Sequence, residues 1–471
     1  MSSGTSFSDA GVWSYLLLLS LIFISLLVAN IIKQYVKPLK KSLIPVSVLG
    51  GILLLIASTI CKVVTGEYLF NLPLFSAGVS RTGIETLEIL TYHCLAIGFV
   101  AMTLRKSNRK NAKGRTSEVF NTGLITVNTY LMQAILGIVI TIVAAFLLPK
   151  LLKCAGILLA FGFGQGTGQA LNYGSIYEGY GFVGGKSFGL TVAALGFLSA
   201  SLGGVFYLNR QRKKGTLTIR DEKSSLNRDK VEDEGEIPMV ESIDKLTVQL
   251  ALVAVAYALS FLLMKVLGAL VGDGMRSTIY GFNFLFGALM GVVVKAVISL
   301  FMKKRVIKRD YINNFLLNRI GGFAFDIMIV AGIGAIQLDL IRNYWFVLIL
   351  MALVGAFSTF YYDHFACFTL FPGYAHEQFL AMFGMLTGTA STGVILLREI
   401  DPEFETPASE NLVYQNFPAI IFGFPLMLLA SFAPKSDVNA YICLGIMVVA
   451  FAVLNVVLFR SKLFRRKKDK K

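Results

Sequence analysis

The sequence predicts an all-α integral membrane protein, and two observations carry this prediction. Of its 471 residues, 55% are hydrophobic and 15% are charged, whereas soluble domains average about 45–50% and about 25%. The chain also contains eleven apolar stretches near the length of about 20 residues that a spanning helix needs. A soluble fold cannot bury this much apolar surface. The composition therefore excludes a disordered chain, a small disulfide-rich secreted domain and an ordinary cytosolic enzyme.

The predicted spans leave two apolar stretches unassigned. The spans are 13–33, 43–64, 87–105, 122–148, 186–208, 246–270, 279–302, 320–341, 345–370, 411–432 and 437–459. The remaining stretches, 152–172 and 375–397, are interrupted by small and polar residues. We predict that these two segments have a different structure from the continuous spanning helices.

The net charge of +16 indicates basic cytoplasmic loops, as the positive-inside rule describes for membrane proteins, rather than nucleic-acid binding. No Lys or Arg precedes the first span, and basic residues follow it, which predicts an outside N-terminus. Every strongly basic loop then faces the cytoplasm only if 152–172 and 375–397 do not cross. If 152–172 crossed, the clusters at 210–214 and 303–309 would face outside. We therefore predict a multi-pass plasma-membrane protein with two re-entrant loops and a cytoplasmic C-terminus.

A polar, charged segment at 209–245 divides the hydrophobic sequence into two similar halves. We predict an N-terminal transmembrane repeat at 1–208, a cytoplasmic linker at 209–245 and a C-terminal repeat at 246–432. An extra helix and a basic tail follow at 433–471. Gly-Thr pairs at 166–167 and 388–389 occupy matching places in the two halves. Because the broken stretches enter from opposite sides under this topology, the repeats, each of about five helices, are predicted to be inverted.

The broken stretches are the candidate binding segments. Irregular backbone at membrane depth is tolerated only where it is buried in protein or lines a wet cavity. Freed carbonyls and hydroxyls can bind a hard cation, and the amides of a broken helix can hold an anion. Close packing of glycine-containing helices is the alternative interpretation. The candidate residues are Gly164, Gln165, Gly166, Thr167, Gly168, Thr387, Gly388, Thr389, Ser391 and Thr392.

Three motifs, two within these segments and one just downstream of the first, resemble those of a known family. They are FGQGTGQA at 163–170, EGYGF at 178–182 and GMLTGTASTG at 384–393. The chain thereby resembles the glutamate:sodium symporter family. The departures are Gln165, where the family often has His, and Leu386 and Ser391, where its second loop has Gly and Pro.

The resemblance implies a fold and a function. It implies two inverted five-helix domains, each with a re-entrant loop, and a cytoplasmic linker between them. The expected activity is Na⁺-coupled uptake of L-glutamate or a similar small anion by alternating access. Na⁺ is then the coupling ion and no other cofactor is expected. The oligomeric state stays open, with a homodimer as one option.

Ionisable residues inside spanning segments are functional candidates by default. His93 and Asp326 lie at similar depths in the two halves. We expect a Na⁺ site near Thr167, Thr389 and Asp326, and a role for His93 in holding a substrate carboxylate or supporting its loop. A buried hydrogen bond between helices is the alternative role for both. Asp363, His364 and His376 lie near cytoplasmic ends of their segments, where solvated positions are expected.

Other classes of protein remain as alternatives. A proton-coupled carrier of another organic anion on the same scaffold is the main one. A channel and a membrane-embedded enzyme are more remote. The enzyme motifs are fragments, such as GYGFVG at 179–184, which lacks the strand and βαβ unit of a dinucleotide site. We therefore do not expect an enzyme.

Overall fold

The computed structural model describes residues 10–76, 82–106, 116–217, 243–270, 276, 279–402 and 405–460. Within these ranges the chain is almost entirely helical and contains no strand. The longer helices of the first half are α1 (Ala10–Tyr35), α2 (Val46–Thr65), α3 (Gly83–Leu104), α4 (Thr116–Ala145), α5 (Leu158–Gly179) and α6 (Gly185–Lys214). Those of the second half are α7 (Lys245–Leu270), α8 (Asn283–Lys303), α9 (Asn314–Gly334), α10 (Trp345–Leu370), α11 (Ala375–Thr387), α12 (Ala390–Arg398), α13 (Ala408–Tyr414), α14 (Asn416–Phe432) and α15 (Asp437–Leu458).

Eleven of the described helices are long and apolar enough to cross a membrane. Each of them coincides with one of the eleven spans predicted from hydropathy. The helical multi-pass prediction is therefore confirmed. The segments α5, α11 and α12, which contain the two interrupted stretches, are not among the eleven.

Several boundaries differ from the prediction by a few residues, and two of these differences have a local explanation. The span predicted at 320–341 is helical over Asn314–Gly334, because the side chain of Asn313 accepts a hydrogen bond from the Leu316 amide and starts the helix earlier. The predicted linker 209–245 begins as helix, since α6 continues to Lys214 and ends at Gly215, which has a φ of 67°. Residues 218–242 of the linker and 461–471 of the tail lie outside the described residues.

Charged residues mark one end of the helix bundle, which we call the basic end. Lys106, just after α3, pairs with Asp310 at 2.7 Å, and Arg212 near the end of α6 pairs with Glu399 at 3.3 Å. Tyr374, which precedes α11, donates a hydrogen bond to Glu118 in the first turn of α4 at 2.8 Å. Both the start of α11 and the end of α12 therefore lie at the basic end.

The opposite end of the bundle holds both ends of α5. Residues 149–153, before α5, and 180–183, after it, line one surface cavity together with Asp339 and Asp437. There Lys153 pairs with Asp437 at 2.7 Å. The chain thus enters and leaves the α5 region at the same end, as α11 and α12 do at the basic end.

The interrupted segments form the centre of the bundle. From Leu158 to Gly174 every residue of α5 except Gln165 is buried, and residues 377–388 of α11 and its end are buried as well. By contrast α1 and α15 expose long apolar faces, on which Leu27 and Val449 are more than half exposed. The outer helices can therefore face lipid, while the broken segments are enclosed by protein.

Candidate functional site

The first interruption is a reversal of the chain at Gly166. This residue has φ 75° and ψ −166° inside α5, a conformation that is essentially restricted to glycine. The rings of Phe161 and Tyr173 stack with their centroids 3.8 Å apart. In a straight helix, residues this far apart in sequence would be separated by roughly 18 Å along the axis. The chain therefore folds back on itself around Gly166.

The second interruption lies between α11 and α12. Helix α11 ends at Thr387, Gly388 and Thr389 are non-helical, and α12 begins at Ala390. The two arms pack so closely that a Cβ on Gly384 would lie 2.7 Å from the Cα of Gly393. Glycine at these positions lets the backbones approach, and the chain folds back here as well.

The two reversals meet each other. A Cβ placed on Gly166 would lie 2.9 Å from Cγ2 of Thr389 and 3.7 Å from the carbonyl oxygen of Gly388. The Gly-Thr pairs that sequence reasoning matched in the two halves are thus in direct contact. Their arms come from opposite ends of the bundle.

A cavity of about 100 Å³ lies beside the contact between the reversals. Its polar lining comes mainly from both interrupted segments: Gly164 and Gln165 from α5, and Thr389 and Ser391 from the start of α12. Tyr130 and Asn416 complete the polar lining, and Tyr130 donates a hydrogen bond to the Gly164 carbonyl at 3.0 Å. The apolar lining consists of Leu95, Phe99, Met102, Phe284, Phe325, Met328, Met385, Ala390, Ala419, Ile420 and Met427.

The electrostatics of this cavity come from backbone and neutral side chains. Its lining contains no Asp, Glu, His, Lys or Arg among the described residues. Helix α12 begins at the cavity, and its N-cap residue Thr389 makes no capping hydrogen bond through its side chain. The first amides of a helix have no intrahelical partner and carry partial positive charge. The cavity can therefore receive an anionic group at the start of α12.

Several of the predicted site residues do not line the cavity; instead they form hydrogen bonds to backbone carbonyls or allow close packing of the backbone. The Thr167 hydroxyl donates to the Met328 carbonyl at 3.2 Å, and a Cβ on Gly332 would lie 2.7 Å from its Cβ. The Thr387 hydroxyl donates to Phe383 within its own helix at 2.6 Å. Gly166, Gly168, Gly388 and Thr392 support the two reversals without lining the cavity.

His93 and Asp326 lie away from the cavity. Their helices α3 and α9 do pack together, as the repeat argument predicts, and a Cβ on Gly98 would lie 2.5 Å from the Phe325 ring. Residue 326 follows Phe325 by about 100° around the helix, so its side chain leaves the contact face. Asp326 is exposed beside Ser47 of α2, and His93 is hydrogen-bonded to Tyr257 of α7 at 2.6 Å.

The expectation that Asp363 is solvated is wrong. Asp363 is fully buried on α10, where Thr129 of α4 donates a hydrogen bond to its Oδ1 at 2.8 Å. The prediction relied on distance from the helix end, but α4 and α11 both pack against α10, and Thr129 of α4 contacts Asp363 directly. Sequence reasoning also did not single out Asn128 and Gln133, which are buried polar residues of α4.

The spacing of polar residues was the available signal. Thr129 and Gln133 on one span are four residues apart, as are Thr359 and Asp363 on another, so each pair lies on one face of its helix.

Glu178, matched to the EGYGF motif, has a structural contact. Its Oε1 accepts a hydrogen bond from the Lys186 amide at 3.1 Å, in the first turn of α6. The Lys186 ammonium group pairs with Glu88 at 2.7 Å and lies 3.5 Å from Glu178. This cluster ties the end of α5 to α6 and α3.

Comparison with known proteins gives no family assignment. No family model, no curated protein and no solved structure matches the chain. The class that the fold defines is a helical multi-pass membrane protein.

Proposed function

We propose that the protein is a secondary active transporter that takes up a small anionic solute, L-glutamate or a similar molecule, coupled to Na⁺. The observation that carries the proposal is the contact between Gly166 and Thr389 at the ends of two chain reversals, beside a cavity that both segments line. Broken helices that meet near the bilayer midplane are the usual binding elements of such carriers.

The internal relationship of the two halves supports inverted repeats. Corresponding elements contact each other in pairs: α3 with α9, α4 with α10, and the reversal in α5 with that between α11 and α12. Elements related by an internal twofold axis contact their own counterparts when they lie near that axis. In this proposal the two reversals are re-entrant hairpins from opposite membrane surfaces, and the basic end faces the cytoplasm.

The cavity supports an anionic solute of modest size. The first amides of α12, which have no acceptor within the helix, supply the electropositive group, and Gln165, Thr389 and Ser391 supply hydrogen-bonding side chains. The Met and Phe side chains accommodate a methylene chain. Among the described residues the lining offers binding groups but no carboxylate, imidazole or amine for acid–base chemistry, which favours a carrier over a membrane-embedded enzyme.

Proton coupling is the second candidate, and the buried carboxylate of Asp363 favours it. Uptake into liposomes reconstituted with the purified protein separates the candidates. We expect labelled L-glutamate to accumulate under an inward Na⁺ gradient at constant pH and not under a pH gradient in Na⁺-free buffer. Accumulation driven by the pH gradient alone would establish the proton-coupled carrier, and no uptake under either gradient would contradict the proposal.

A further inference from the structure

A fully buried polar seam crosses the bundle where α4 packs against α10. Thr129 donates to Oδ1 of Asp363 at 2.8 Å. One helical turn away, Nε2 of Gln133 donates to the Thr359 hydroxyl at 2.8 Å. Asn128 lies beside Thr129, and all five side chains are at 0% exposure. The seam is separate from the cavity lining described above.

Within the described part of the chain, three oxygens of the seam have no hydrogen-bond partner. These are Oδ2 of Asp363, Oδ1 of Asn128 and Oε1 of Gln133, and Nδ2 of Asn128 is also unpaired. Buried polar atoms are nearly always satisfied, so unpaired oxygens of Asp363 and Gln133 on neighbouring turns of the α4–α10 contact indicate a group that they bind. Three of these four atoms are oxygens, the ligand type that a hard cation prefers.

Asp363 also lacks a balancing charge. Among the residues that the structure describes, no ion pair involves Asp363. Its titratable neighbours, Tyr362 and Cys367, are not cationic, and the Tyr362 hydroxyl borders Asn128. A carboxylate enclosed in this way requires a counterion or a proton.

We propose that this seam is a Na⁺ site, with oxygen ligands from Asp363, Asn128, Gln133 and the neighbouring threonine hydroxyls. A single carboxylate with neutral amide and hydroxyl oxygens matches one monovalent hard cation, whereas divalent sites use several carboxylates or retained waters. No described cluster of three or more His, Cys, Asp or Glu is placed to hold a metal ion, which also argues against a divalent site.

The seam is connected to the second reversal. Nε2 of Gln133 also donates to the carbonyl oxygen of Leu386 at 2.8 Å, two residues before Gly388. A cation that orders Gln133 therefore steadies the segment that carries Thr389 to the cavity. This coupling rests on the proposed transport function, whereas binding of Na⁺ to the seam does not.

The test measures equilibrium binding of radioactive Na⁺ to the purified full-length protein in detergent, without solute. We expect saturable binding that Asp363→Asn weakens at least about tenfold, because even the loss of an outer-shell partner typically weakens metal binding by about 10–100-fold. The matched control is Asp326→Asn, an acid on another spanning helix, which should bind Na⁺ like the parent protein. Equal binding by Asp363→Asn and the parent, or loss of binding in Asp326→Asn alone, would overturn the site.

Asn128→Leu keeps the site testable if Asp363→Asn does not fold. The two side chains are similar in size, and the Tyr362 hydroxyl beside the amide keeps its hydrogen bond to Asn455 at 2.8 Å, so leucine should leave thermal stability in choline chloride close to that of the parent. The same variant should lose the stabilisation that NaCl gives the parent protein. If NaCl raised the thermal stability of this variant as much as that of the parent, the proposal would be contradicted. It would also be contradicted if NaCl, KCl and choline chloride changed the thermal stability of the parent equally.

The two proposals fail separately. Na⁺ binding that depends on Asp363 without any solute uptake would refute the transport function and leave the site standing. Na⁺-dependent uptake with unchanged Na⁺ binding in both seam variants would refute the site and leave the function standing.

Discussion

Gly166 and Thr389 face each other across the centre of the molecule, so closely that a Cβ on the glycine would lie 2.9 Å from Cγ2 of the threonine. They lie 223 positions apart in the sequence (389 − 166) and on chain reversals whose arms begin at opposite ends of the bundle. The contact joins the two halves at the cavity. Motion of one half against the other would therefore alter the cavity directly.

The first prediction concerns this contact. Gly166→Val should reduce uptake in liposomes by at least about tenfold, because a residue with a side chain is strained by about 1–3 kcal/mol in this backbone conformation and the valine also meets Thr389. The matched control is Gly445→Val on α15, where a Cβ meets no heavy atom within 4 Å. Both variants should insert into the membrane. If Gly166→Val took up solute at the rate of the parent protein, the chain reversal at Gly166 would not be needed for transport.

The second prediction concerns the polar lining of the cavity. Gln165→Leu should raise the KM for solute uptake about tenfold, since a hydrogen bond to a charged group contributes about 1.5–3 kcal/mol. Gln169→Leu is the control, because Gln169 is buried on the same segment but does not line the cavity. The concentration dependence of initial uptake measures both. An equal KM change in the two variants would indicate a packing effect in α5 instead.

The third prediction separates the buried Asp363 from the exposed Asp326 by their effect on coupling. Asp363→Asn should weaken the dependence of uptake on the Na⁺ gradient, whereas Asp326→Asn should keep it near that of the parent. The reason is position: Asp363 is enclosed in the seam next to α11, and Asp326 is exposed beside α2. Uptake at a series of Na⁺ concentrations gives the comparison. If Asp326→Asn weakened the Na⁺ dependence of uptake and Asp363→Asn did not, Asp326 would be the residue that couples uptake to Na⁺.

The fourth prediction concerns orientation. In a cysteine-free background, Lys150→Cys at the opposite end should react with an impermeant thiol reagent added to intact cells. Ser225→Cys, in the linker outside the described residues, should react only after permeabilisation. The pair tests whether the basic end faces the cytoplasm, as its Lys and Arg content predicts. Labelling of Ser225→Cys in intact cells would invert the topology.

Hydropathy located the spanning helices because each must cover the bilayer core with apolar side chains within its own sequence. The interrupted stretches were recognised for the same local reason, since Gly, Thr and Ser break an apolar run wherever it folds. Hydropathy places the ends of these helices less accurately than their middles. Helix α9 starts at a capping side chain, Asn313, which hydropathy does not register.

The candidate site was only partly accessible to sequence reasoning. Gly164, Gln165, Thr389 and Ser391 were identified because they belong to the breaks themselves. Tyr130, Met328 and Asn416 come from other helices, and nothing in their local sequence marks the cavity. His93 and Asp326 were chosen for their charge, but the lining depends on which helical face turns inward.

The sequence by itself determined the helical membrane class, the eleven apolar helices and the two interrupted segments, because these follow from the composition of contiguous residues. Only the tertiary structure decided that the breaks meet at Gly166 and Thr389, and that Asp363 is enclosed while Asp326 is not. Successive residues of a helix point in directions about 100° apart, so each residue meets a different neighbour. Whether an acid is buried therefore depends on packing partners that lie far away in the sequence. Thr129 reaches Asp363 from 234 positions away, and no local pattern contains that pairing.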